Sequence, residues 1–91
     1  MRINRVRWDL QSIEHIARHR VEQDEVESVI FGSRQLRRGR EENRYELYGQ
    51  TDEGRYLFIV IDREGSGVCY VVTARDMDGV EKRYYRRKIA K

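Results

Sequence analysis

Proline is absent from the 91 residues, cysteine occurs once, and lysine is scarce beside arginine. No apolar run approaches the roughly 18 residues that a bilayer-spanning helix needs. Neither a repeat nor a low-complexity linker divides the chain, so a single domain over residues 1–91 is expected. Cys69 has no partner for an intrachain disulfide, and its apolar neighbours mark it as core. Arg2, Arg5 and Arg7 precede no hydrophobic region, which excludes a signal-peptide pattern. The expectation is a cytoplasmic protein that does not enter a membrane.

What is present is charge, and it comes in blocks. Charged residues make up 38% of the chain and hydrophobic residues another 38%, with nine aromatics, too many for a disordered segment. The net charge is only +3, yet residues 10–32 and 45–74 each sum to −3, while residues 1–9, 33–44 and 75–91 sum to +2, +3 and +4. Sixteen of the cations are Arg and three are Lys. The planar guanidinium fork binds phosphate or carboxylate at two points, so the bias favours a phosphate or an acidic protein as partner.

Patterning gives the elements in order. Ile3, Val6 and Trp8 alternate weakly, suggesting a short edge strand over residues 3–8. Asp9 is a good N-cap for a helix that buries Leu10, Ile13, Ile16 and Ala17 and ends near His19 and Arg20. A second helix, Gln23 to Phe31, carries Val26, Val29 and Ile30 at helical spacing and stops at Gly32. Residues 33–40 and 44–48 read as strands, with Tyr45 and Leu47 on one face and Glu46 and Tyr48 on the other. The most apolar run, residues 56–61, predicts a central strand, and Val68 onward another.

Beyond that last strand, Asp78 and Glu81 have the spacing of a capping box, so a helix should begin at Gly79. At 100° per residue, Val80, Tyr84, Tyr85 and Ile89 share one half of it, while Lys82, Arg83, Arg86 and Arg87 share the other. Arg75 stands at the strand exit, near the positive end of the helix, where an anion meets N–H groups and a guanidinium together. The sum is an α+β fold: two N-terminal helices, an antiparallel meander of three to four strands, and a C-terminal helix. The predicted helices suffice to cover one face of the sheet. The other is expected to lie open, with Tyr48 and the arginines Arg37, Arg38, Arg40 and Arg44 lining it beside Arg83, Arg86 and Arg87. Aromatic rings interleaved with guanidinium groups suit single-stranded RNA.

These residues also carry a resemblance. Trp8-Asp9 with the helix bearing His19 and Val21 is similar to the opening of the BrnT family of ribonuclease toxins, whose fold is RelE-like. Glu42, Arg44, Tyr45, Gly49, Thr51, Gly54, Arg55 and Leu57 resemble that family's middle pattern, and Ala74-Arg75 with Glu81 and Tyr85 resembles its closing one. Arg20 departs from it, standing where the family usually has Gly, and His15 replaces a common Asn.

The resemblance implies the toxin of a type II toxin–antitoxin pair. Such a toxin is a metal-independent endoribonuclease in which the ribose 2′-hydroxyl attacks its own phosphodiester, held in check by a cognate DNA-binding antitoxin encoded next door. A homodimer or a toxin–antitoxin hetero-oligomer is the expected assembly. The step needs a base, cationic donors for the phosphate and an acid. Arg75 and Arg55 are the candidates for the phosphate, His19 or Glu81 for proton transfer, and Tyr85 for a hydrogen bond or stacking. No cofactor is expected, and no metal, since His15 and His19 lack a carboxylate motif to complete a site.

Plainer roles compete at each position. His19 fits a helix C-terminal histidine, Glu81 a cap, Arg75 a structural partner of Glu81 or Asp76, and Tyr85 a packing residue. The alternative function is a non-catalytic module that binds RNA or an acidic protein.

Overall fold

The computed structural model describes residues 2–89. Asp9 does cap the first helix, α1 (Leu10–Ala17), accepting from the Ser12 N–H at 2.8 Å while Ser12 Oγ accepts from the Asp9 N–H at 3.0 Å. α1 is shorter than expected. It ends because the chain turns at Arg20, which adopts a left-handed φ of 59° and lets the Val21 N–H close back on the Ile16 carbonyl. α2 (Gln23–Ile30) follows, its entry closed by the Glu22 N–H donating to Glu25 Oε1.

Five strands form one mixed sheet, the expected antiparallel meander of four, β2 (Leu36–Glu41), β3 (Arg44–Gln50), β4 (Tyr56–Gly65) and β5 (Val68–Asp76), joined by β1 (Arg5–Arg7). Their order is β1-β5-β4-β3-β2, all antiparallel except that β1 runs parallel to β5, with Val6 opposite Cys69. The short N-terminal strand is therefore an edge, as its weak alternation suggested. Trp8 Nε1 donates to Glu27 Oε2 at 2.7 Å, fastening that edge to α2. Between Val60 and Ile61 the β4–β5 register skips Val72, a bulge that sharpens the local twist.

One face of the sheet carries Leu47, Leu57, Ile59, Ile61, Val71 and Ala74 against Ile16, Val26, Val29 and Ile30 of α1 and α2. Gly49 is required here, because a Cβ on it would sit 2.5 Å from Val29 Cγ1.

The other face is not left bare, which corrects the expectation of an open surface. Met77 is 4% exposed and donates its N–H to the Tyr56 carbonyl, reversing the chain so that α3 (Gly79–Ile89) folds back across β2 and β3. Tyr84, Tyr85 and Ile89 then cover Tyr48, Phe58 and Val60. Helix content alone could not reveal this, because α3 covers only part of the face and does so through bulky tyrosines. Val80, placed with that apolar group by periodicity, is instead 66% exposed.

Candidate nucleic-acid interface

The junction of β5 with α3 is built as its spacing predicts. Asp78 Oδ1 accepts from the Glu81 N–H at 2.8 Å and Glu81 Oε1 accepts from the Asp78 N–H at 2.9 Å, a reciprocal cap on α3. Arg75 leaves β5 on the same face as Phe58, lies over that ring at 4.4 Å, and meets both Glu81 oxygens at 2.8 and 2.9 Å. The guanidinium is thus fixed between an aromatic face and a carboxylate, yet 37% of its side chain remains exposed. Arg75 holds the Glu81 carboxyl below the usual carboxylate range, so Glu81 is an anion at neutral pH.

Beside this pair a hollow of about 280 Å³ opens between β2, β3 and α3, lined by Arg38, Tyr48, Val80, Glu81, Arg83, Tyr84 and Arg87. The Tyr48 ring packs edge-on against both Phe58 and Tyr84 at 5.2 Å, and Arg38 lies over Tyr84 at 5.7 Å. Three arginines on the walls and two tyrosines on the floor offer guanidinium groups to phosphates and aromatic surface to a base.

The sequence singled out Tyr48 only as an aromatic lining the open face, and Glu46 not at all. Alternation does put both on this face, and Glu46 lies directly opposite Arg38 in the β2–β3 ladder. The Glu46 side chain is 19% exposed, accepts from the Tyr48 hydroxyl at 3.2 Å, and has Arg40 Nε at 3.7 Å. Burial, reinforced by the Glu46 carboxylate, pushes the Tyr48 hydroxyl above the ordinary phenol range.

The other sequence candidates lie elsewhere. Arg55 spends all five N–H donors on the protein: Asp76 through Nε and Nη2, Glu25 and the Arg20 carbonyl through Nη1, and the His19 carbonyl through Nη2. It pins the ends of α1 and β5 to the start of α2. His19 is exposed, its ring edge-on to His15 at 5.8 Å, while His15 Nε2 lies 3.1 Å from Thr73 Oγ1. Tyr85 is 3% exposed, and its hydroxyl donates to the Arg34 carbonyl at 2.6 Å beside a separate hollow.

Of the arginines expected to bind RNA, Arg38, Arg83 and Arg87 line the hollow. Arg86 lies over Tyr56, Arg44 forms a two-point pair with Asp62, Arg40 approaches Glu46, and Arg37 donates to Gln35. Among the described residues, no three His, Cys, Asp or Glu side chains gather as metal ligands, and no helix is long and apolar enough to cross a membrane.

Two helices on one face of a five-stranded sheet and a basic helix folded over the other define an α+β fold. Among solved structures, the chain is similar to the ribonuclease toxin BrnT of Brucella abortus, with a TM-score of 0.67 and 17% identity over 81% of this chain and 96% of that one. No protein-family model and no curated protein matches the sequence.

Proposed function

We propose that the chain is a ribonuclease toxin that cleaves single-stranded RNA without a metal, in the hollow beside Arg75 and Glu81. The observation that carries this reading is the convergence of Arg38, Arg83 and Arg87 with Tyr48 and Tyr84 around one hollow, on the fold of a ribonuclease toxin. The arginines hold the phosphates on either side of the scissile bond, and Arg75 adds positive potential from beneath. Arg55, His19 and Tyr85 act through structure in this reading, since none of their side-chain polar groups lines the hollow. RNA places the work in the cytoplasm. A cognate antitoxin, encoded next door, restrains it by contacting a surface rich in arginine.

Cleavage is tested by incubating the purified chain and its Arg38→Ala and Arg87→Ala variants with single-stranded RNA in chelator. The expected result is fragments ending in 2′,3′-cyclic phosphate from the wild type and fewer from either variant. Intact RNA recovered from a tight, salt-sensitive complex would replace the enzyme with a binding module.

A further inference from the structure

Glu46 is an anomaly in a surface built for an anion. Its carboxylate projects from the middle of β3, opposite Arg38 and behind the Tyr48 hydroxyl rather than on the lining of the hollow, four-fifths buried, and it opposes the phosphates that Arg38, Arg83 and Arg87 attract. It is also under-used by the protein. Among the described residues, one oxygen takes the Tyr48 hydroxyl at 3.2 Å, and the other has Arg40 Nε at 3.7 Å, beyond hydrogen-bond range. The carboxylate of Glu81, which does line the hollow, differs in that its oxygens are filled by Arg75 and by the Asp78 N–H. A carboxylate with free lone pairs beside a bound polyribonucleotide has one ready partner, the ribose hydroxyl.

We infer that Glu46 and Tyr48 are the proton-transfer pair of the cleavage reaction, Glu46 as general base and Tyr48 as general acid. This rests on the ribonuclease reading of the same hollow. Glu46 accepts the proton of the 2′-hydroxyl as the 2′-oxygen forms its bond to phosphorus. The bond from phosphorus to the 5′-oxygen breaks, and the Tyr48 hydroxyl protonates the departing oxygen. The products are a 2′,3′-cyclic phosphate and a 5′-hydroxyl. Protonated Glu46 then returns its proton to the Tyr48 oxygen along the hydrogen bond already present, so both groups end as they began. Tyr48 lines the hollow and lies within electrostatic reach of Arg38, Arg75 and Glu81. Its hydroxyl, like any phenol, carries its proton at neutral pH and so begins the reaction with the proton it donates.

Glu46→Gln keeps an acceptor for the Tyr48 hydroxyl and removes the charge. Single-turnover cleavage by this variant should fall by about 10²-fold or more, while RNA affinity stays level or tightens because a repulsive charge is gone. A residue that served only the fold would weaken both. Tyr48→Phe should lose a similar factor and regain much of it on RNA whose scissile 5′-oxygen is replaced by sulfur, a leaving group that needs no proton; Glu46→Gln should not be rescued. If the wild type cleaves and Glu46→Gln cleaves within about threefold of it, the pairing is overturned and the ribonuclease reading stands. A sulfur substrate that fails to rescue Tyr48→Phe removes the acid role. A wild type that binds RNA and leaves it intact overturns both readings together.

Discussion

Arg75 and Glu81 are joined at two points, and the Glu81 oxygen that receives Arg75 Nη1 at 2.8 Å also receives the Asp78 N–H at 2.9 Å. One carboxylate therefore ends β5 and starts α3, so the position of the basic helix depends on its charge.

Acid should weaken that joint in a predictable sense. Arg75 depresses the Glu81 pKa in the fold, so the stabilisation is complete above the unfolded value of about 4.3 and is lost as pH falls through the lower folded value. Glu81→Gln should be less stable than the wild type at neutral pH, with the gap narrowing below about pH 4. Urea midpoints at neutral and at acidic pH measure this; a gap that stays constant contradicts it.

Arg55→Ala should destabilise the fold by about 2–3 kcal/mol, since it leaves half-buried Glu25 and two backbone carbonyls without their donor. Thermal unfolding should drop by roughly ten degrees. RNA affinity at a temperature where the variant is folded should be unchanged, because no Arg55 atom lines the hollow. A loss of affinity in the folded variant would return Arg55 to the phosphate.

Gly49→Ala forces a methyl into Val29, 2.5 Å from Cγ1. Helix α2 must lift from β3, at a cost of about 1–3 kcal/mol. The companion change Val29→Ala in the same chain should recover part of this loss, which chemical denaturation can read directly.

Arg20→Gly should act in the opposite direction. Arg20 holds a left-handed φ of 59°, and glycine removes its steric cost while leaving the carbonyl that Arg55 grips. The gain, after glycine's own entropy cost, should be about 0.5–1 kcal/mol, seen as a higher melting temperature.

What the sequence revealed was local. The Asp9 and Asp78 caps are spacings of three residues, and the alternation of Tyr45 and Leu47 against Glu46 and Tyr48 is a property of one strand, so both were legible. The parallel pairing of Arg5–Arg7 with Val68–Tyr70 joins residues more than sixty positions apart and has no local signature. The same holds for α3 lying over the sheet, which turns on Met77 and on tyrosines whose helical spacing says only that they pack. Arg55 illustrates the limit most sharply. Its motif marked it as important, but only the positions of Glu25, Asp76 and two carbonyls, drawn from three other elements, show that its donors are already taken. Glu46 escaped notice for the converse reason: a lone carboxylate in an alternating strand is ordinary until Arg38 and Arg40 of β2 are found beside it.

The parallel strand has a bearing on when the molecule matures. A ribosome makes Arg5–Arg7 well before Val68–Tyr70, so that strand waits for its neighbour, and the wall bearing Arg83 and Arg87 emerges later still. A nascent chain thus carries no assembled cleft until the stretch that follows β5 has joined β2 and β3 outside the ribosome.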